Sequence, residues 1–392
     1  MKLSKRSDGV KTSPTLALAA KAIELRSKGV DVVSLSVGEP DWTTFEVCKT
    51  AGLNAVTEGK TKYTPASGTA TLKSALSKKF SKRYGFELNN KNVVITPGAK
   101  YAIQEALWNL LNPGDKVGIF IPFWASYTTM VEIANGVPEL ISLNEDLSLS
   151  KENLEKALAS GVKVLLINSP NNPSGSAFNK KDYEVLVECL KAYPDVQVIL
   201  DDIYADLYWG EEGECPHLFD VDPSMFERTI VINGASKAYS MTGWRIGWAI
   251  GGADIVGAIS RYQSQTTGCP NAMAQAATEA GVEKAGPDIE ASVKTLKARA
   301  EKGYELLSSI EGVNLQKPKG AFYFWVNLSE VLEKMKMTDS EFCNQLLEKK
   351  AVVVVPGVEF GRSGFARMSF AVSEEVFAEG VSRIKEFIKE LV

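Results

Sequence analysis

Between about residue 90 and residue 250, short apolar runs alternate with helical patterns, and this alternation restricts the chain to a βαβ architecture. The candidate strands are 93–96, 117–121, 137–141, 164–168, 196–200, 229–232 and 245–250. Most are continuously apolar, the pattern of strands buried on both faces, so a mostly parallel sheet covered by helices is expected. Pro138 makes 137–141 the weakest of them, because proline cannot donate to a ladder. Helical spacing is clear over 100–109 and over 180–192, where Tyr183, Leu186, Val187 and Leu190 share a face. Asn112-Pro-Gly-Asp115 reads as a turn.

Beyond Gly286-Pro287 the pattern changes to a long charged amphipathic helix over 289–309, short strands near 320–326 and 352–355, and a last helix over 373–391. This is a second, α+β lobe. A chain of 392 residues exceeds the size at which one core stops growing, so two lobes sharing a cleft are expected.

The most telling local stretch is Gly234-Ala-Ser-Lys-Ala-Tyr-Ser-Met-Thr-Gly-Trp-Arg-Ile-Gly247, directly after the run 229–233. A strand that ends in small residues delivers the Lys237 amine to an open site, and Ser236 and Arg245 bracket it with groups suited to a phosphate monoester. A lysine among phosphate ligands suggests covalent chemistry with pyridoxal phosphate. Gly98-Ala-Lys100 follows the first strand and opens a helix, where free N–H groups can bind an anion; by itself such a motif is more often a simple helix entry. Asp201 closes another strand, while the adjacent Asp202 is left to the plainer reading of a solvated carboxylate. Arg367 stands between apolar neighbours, so it reaches either solvent or a buried anion.

His217 is the only histidine and sits in the turn-like Glu214-Cys-Pro-His-Leu218, where an exposed loop residue is expected. Acid–base work therefore falls to a lysine, carboxylate or tyrosine with a shifted pKa. One histidine, and five scattered cysteines (48, 189, 215, 269 and 343) without Cys-x-x-Cys spacing, argue against a metal site and for reduced thiols. A net charge of −4 argues against nucleic acid as a partner. No window approaches the roughly 20 apolar residues of a membrane span. Residues 1–8 lead into no long apolar run, and the cytoplasm is the expected location.

The lysine stretch resembles the signature of class I aminotransferases, the fold-type I pyridoxal-phosphate enzymes, and specifically their bacterial aspartate aminotransferase branch. The similarity extends to Ser36-Val-Gly-Glu-Pro-Asp-Trp42, Lys62-Tyr-Thr-Pro-Ala-Ser-Gly68, Thr96-Pro-Gly-Ala-Lys100, Asn168-Ser-Pro-Asn-Asn-Pro-Ser-Gly175, Asp201-Asp-Ile-Tyr204 and Ala366-Arg-Met-Ser369. It departs mildly at Ser174, where the family commonly has threonine. The resemblance implies a large pyridoxal-phosphate domain over 46–289 with a mostly parallel seven-stranded sheet. A small α+β domain over 290–392 and an N-terminal segment, 1–45, packed with it complete the expected fold.

It also implies roles. Lys237 is the catalytic lysine that holds the cofactor and later moves a proton. Gly98, Ala99, Lys100, Ser236 and Arg245 are implied for the phosphate, Asp201 for the pyridine nitrogen, Tyr204 and Asn172 for the phenolic oxygen, and Trp124 for stacking on the ring. Gly38, Trp124, Asn172 and Arg367 form the implied substrate set, with Arg367 on the α-carboxylate. Tyr63 matches a tyrosine that reaches the phosphate of a neighbouring subunit, which implies a homodimer with shared active sites. The implied activity is amino transfer between an L-amino acid, aspartate foremost, and a 2-oxo acid such as 2-oxoglutarate. Aromatic, alanine or prephenate specificity, or a β-lyase on the same fold, are the alternatives, and a ligand-sensing domain without turnover is a remote one. Residues 263–271 contain no arginine of the kind that animal-type enzymes use for a distal carboxylate. Lys11 resembles a lysine that some bacterial members bring over the substrate, and is otherwise a surface lysine.

Overall fold

The structure is a computed structural model that describes residues 7, 10 and 14–391. Lys11 lies outside the described residues. In chain order the strands are β1 (Val33–Ser34), β2 (Val93–Thr96), β3 (Lys116–Ile121), β4 (Val137–Ser142), β5 (Val162–Asn168), β6 (Gln197–Asp201), β7 (Thr229–Gly234), β8 (Gly247–Ile250), β9 (Asn314–Leu315), β10 (Tyr323–Asn327), β11 (Val352–Val353), β12 (Val355–Pro356) and β13 (Phe365–Ser369).

Seven of them form one sheet in the order β2-β8-β7-β6-β5-β3-β4. Only β8 runs antiparallel to its neighbours β2 and β7; the remaining pairs are parallel. All four residues of β2 and of β8 are buried, as their unbroken apolar character requires of strands covered on both faces. Pro138 is tolerated because β4 is the edge strand, bonded to β3 alone. Two buried clusters flank the sheet. Leu76, Phe80, Leu186 and Trp248 belong to one, and Ile103, Leu107, Val131 and Ile259 to the other.

A third cluster gathers Phe324, Phe342, Met368, Ile384 and Phe387 with Val33 and Leu35 from the N-terminal segment. There β10 pairs antiparallel with both β13 and β9, while β1 pairs parallel with β11. The expected strand 352–355 is in fact two, because β11 joins β1 whereas β12 joins β13. A chain passing from one sheet to another cannot keep one ladder.

Two further expectations are corrected. The strand expected at 245–250 begins at Gly247, since Arg245 adopts a left-handed φ of 57° that turns it out of the ladder. His217 and Asp202 are both 5% exposed, with His217 Nε2 3.1 Å from Asp202 Oδ2. The turn-like sequence around His217 does close a turn, but that turn is packed inward: the imidazole stacks on Tyr84 at 4.7 Å and meets Phe219 edge-on at 4.5 Å.

Candidate active site

The carboxyl ends of β5, β6 and β7 place Asn168, Asp201 and, one step into the helix Ala235–Ala238, Ser236 and Lys237 around one cavity of about 310 Å³. Ligands collect at such strand ends because the loops there are free to diverge. The opposite wall comes from the separate four-stranded sheet, through Tyr323 on β10 and Arg367 on β13.

Lys237 Nζ donates to the carbonyl of Gly38 at 2.5 Å. Burial lowers its pKa to about 8, with Arg245 and Arg367 pushing the same way and Glu39 and Asp201 opposing. Asp201 is 3% exposed; its Oδ2 accepts from Tyr127 Oη at 2.5 Å and its Oδ1 from the Ile203 N–H at 3.3 Å. Burial raises this carboxyl to about 6, against the pull of the Tyr127 hydroxyl. Asn168 Nδ2 donates to the Asp201 carbonyl at 2.8 Å, and its Oδ1 accepts from the Asn172 N–H at 2.8 Å, so one amide ties two loops together.

Arg367 is buried, which lowers its pKa from the usual arginine value. Nη1 donates to Asn172 Oδ1 at 2.9 Å and Nη2 to the Ser36 carbonyl at 2.7 Å, while Nε has no partner among the described residues. The guanidinium lies 4.6 Å from the Tyr323 ring and 5.1 Å from that of Phe360, which fix its plane. With Arg367 on Oδ1, the amide of Asn172 keeps Nδ2 as donor. Tyr204 and Tyr323 share a hydroxyl–hydroxyl bond of 2.9 Å.

Arg245 reaches back to the helix Ala99–Leu110, where Gly98 has φ 95° and an added Cβ would stand 2.4 Å from Arg245 Nη2. A Cβ on Gly247 would meet the Ala99 nitrogen at 2.3 Å. Both glycines therefore let the helix start and the arginine share one place, a cradle for an anion. Lys100 Nζ sits 4.6 Å from the Trp124 ring and 3.3 Å from Ser126 Oγ, its pKa lowered by burial and by Arg245.

The cavity thus brings together Gly38, Ala99, Lys100, Trp124, Asn172, Asp201, Tyr204, Ser236, Lys237, Arg245 and Arg367. Gly98 stands behind Arg245, and Tyr63 is 98% exposed, away from this cavity. Sequence reasoning missed Tyr127, Asn168 and Tyr323. Tyr127 follows Trp124 by one helical turn, a spacing that could have revealed it; Tyr323 had no signal near the other motifs. Among the described residues no group of three or more His, Cys, Asp or Glu is placed to hold a metal, and no helix is long and apolar enough to cross a membrane.

An α/β fold whose cavity gathers a buried, pKa-lowered lysine, a buried carboxylate and three further cations has the features of an enzyme site suited to anionic substrates. The defining pattern of the aminotransferase class I and II family matches residues 30–384. The aspartate/prephenate aminotransferase of Nitrosomonas europaea is 36% identical, over 99% of this chain and 100% of its own. Among solved structures, the aspartate aminotransferase of Rhizobium meliloti superposes with a TM-score of 0.95 at 35% identity, covering 100% of both chains. That of Thermus thermophilus with maleate superposes with 0.92 at 34%, covering 98% of this chain and 99% of the other. The chain belongs to the class I and II aminotransferases, a family of pyridoxal-phosphate enzymes.

Proposed function

We propose that this aminotransferase moves the amino group of L-aspartate to a 2-oxo acid such as 2-oxoglutarate, with pyridoxal 5′-phosphate held in the cavity around Lys237. The observation that carries the reading is the set of four cationic side chains, Lys100, Lys237, Arg245 and Arg367, lining one cavity whose only carboxylate among the described residues is Asp201. Such a site suits a phosphate and a dicarboxylic substrate together.

The residues present fit the cofactor. Ser236, Arg245 and the N–H groups that open the helix Ala99–Leu110 would hold its phosphate, and Gly98 and Gly247 leave room for it. Asp201 would face the pyridine nitrogen, Trp124 the ring, and Tyr204 and Asn172 the phenolic oxygen. When bound, the cofactor supplies an electron sink for negative charge at the substrate Cα.

Lys237 would hold the cofactor covalently, and its Nζ, when free, would carry the substrate Cα proton. That work needs a neutral amine, and a pKa of about 8 keeps a useful fraction neutral near pH 7 to 8. Arg367 has spent two of its five N–H donors on Asn172 and Ser36, which leaves three for the α-carboxylate. With Arg245 on the phosphate and Arg367 on the α-carboxylate, Lys100 is the remaining cation for a distal carboxylate. The dicarboxylate maleate named with the Thermus structure agrees with such a site.

The exposed Tyr63 supports a homodimer in which it serves the partner's cavity. The separate buried cluster around Phe324 and Val33 supports reading 1–45 and 290–392 as one small domain beside a large one over 46–289. Five unpaired cysteines fit a cytoplasmic enzyme. The test is a panel of amino donors with 2-oxoglutarate: glutamate formed fastest from aspartate supports the reading, whereas ammonia and pyruvate formed without an acceptor would identify a β-lyase.

A further inference from the structure

We propose that the buried Asp202–His217 pair is a positioning pair, whose fixed negative charge behind Asp201 strengthens the hold of that carboxylate on a proton. Consecutive residues at a strand end point to opposite faces, so Asp201 opens on the active cavity while Asp202 lines a second cavity of about 350 Å³. Three cations line that cavity, of which Lys82 is exposed and the other two are paired with other carboxylates. Lys79 is paired with Asp206 at 2.8 Å, and Arg83 with Asp220 at 2.8 Å and Glu214 at 3.7 Å.

Among the described residues the one side-chain partner of Asp202 is His217, and the geometry fixes the form of that ring. Its Nδ1 accepts the Phe219 N–H at 3.2 Å, so the ring proton resides on Nε2 and points at Asp202 Oδ2. A second ring proton would require Nδ1 to give up Phe219, and the stack between Tyr84 and Phe219 prevents the ring from turning away. The imidazole thus donates to Asp202 through Nε2 and accepts from the Phe219 N–H through Nδ1. Tyr84, Tyr183 and Cys215, which also pack here, are held protonated by burial, with the Asp202 charge adding to that effect. The same charge acts on Asp201, adding to the effect of burial.

In the reaction this anion favours a protonated partner opposite Asp201, so the inference rests on the reading of Asp201 as the pyridine contact. The experiment separates the two. In the cofactor-free enzyme, carbon-13 carboxyl NMR, with the Asp201 signal assigned through Asp201→Asn, follows the titration of Asp201 alone. Asp202→Asn keeps shape and an acceptor for His217 but removes the charge, and is expected to lower the Asp201 midpoint by about half a unit to one unit, three- to tenfold in proton affinity. Asp202→Glu should restore it, and Asp202→Ser offers a second neutral replacement if the asparagine variant does not fold. A loss of thermal stability with the Asp201 midpoint unmoved would overturn the inference. In the loaded enzyme the cofactor absorbance is titrated in parallel; a spectrum that does not respond to Asp201→Asn would instead overturn the pyridine assignment and leave the pair standing.

Discussion

Replacing Arg367 by lysine isolates the geometry of carboxylate recognition from its charge. Arg367 lies in β13 between Trp325 of β10 and Val355 of β12, and its plane is held by Tyr323 and Phe360. The fork donates to Asn172 at 2.9 Å and Ser36 at 2.7 Å and still offers Nε and one hydrogen on each Nη. An ammonium has three donors, so after one is given to Asn172 or Ser36 it cannot also present two parallel N–H groups to a substrate. Each charge-assisted bond contributes about 1.5–3 kcal/mol, and lysine retains the charge and one of the two. The net loss is then about 1.5–3 kcal/mol, a fall of roughly 10- to 150-fold in kcat/KM. Because every amino-acid substrate carries the α-carboxylate, the fall should be similar for aspartate, glutamate, alanine and phenylalanine. It should appear in kcat as well as KM, since the contact also orients Cα. Steady-state rates for the four donors, with thermal melting as a check on folding, make the measurement. A fall below fivefold, or one confined to the acidic donors, would refute the assignment.

Other expectations follow from the same cavity and its surroundings. Lys237→Ala should carry no covalent cofactor after borohydride reduction and peptide mapping, and should lose at least about a thousandfold in turnover, since nucleophile and proton carrier go together. Lys100→Met should lower kcat/KM for aspartate and glutamate by about 10- to 100-fold relative to alanine; equal losses for all donors would return Lys100 to the phosphate set. Glu105 is fully buried with both carboxyl oxygens unpartnered, and burial raises it to about 8 from an ordinary 4.5. An acid raised on folding is fully compatible with the folded state below about pH 4.5 and costs stability progressively as pH rises to about 8, up to about 5 kcal/mol. Glu105→Gln should therefore gain on the parent protein in urea melts as pH goes from 5 to 8, and a constant difference would show that Glu105 does not titrate in this way.

Much of this organisation is legible locally. Sheet strands announce themselves because burial on both faces demands unbroken apolar runs, and the proline in β4 fits its place at the edge. Asp201 stands out because the sequence changes there from apolar to polar within one step, and Lys237 because small residues carry the chain from its strand to the amine. Contacts made across the chain leave no such mark. The Tyr204–Tyr323 bond spans 119 residues and two lobes, and nothing near either tyrosine predicts the other. His217 misleads for the same reason: a Cys-Pro-His turn reads as surface, and only the distant Tyr84 and the carboxylate of Asp202 make it interior.

The two central titrating groups are displaced towards each other by one cause. Burial raises Asp201 to about 6 and lowers Lys237 to about 8, so within this cavity neither charge is strongly held. What then decides each charge is what stands opposite. A cation across from Asp201 restores its carboxylate, which is what a protonated pyridine nitrogen would provide, while Tyr127 supplies part of that stabilisation beforehand. Lys237 is kept from taking up a proton by Arg245 and Arg367, and anions on those two arginines weaken that restraint. On the proposed reading, a phosphate on Arg245 and an α-carboxylate on Arg367 would raise the proton affinity of Nζ when Lys237 is to accept a proton. The two arginines would then couple anion binding to the basicity of the lysine.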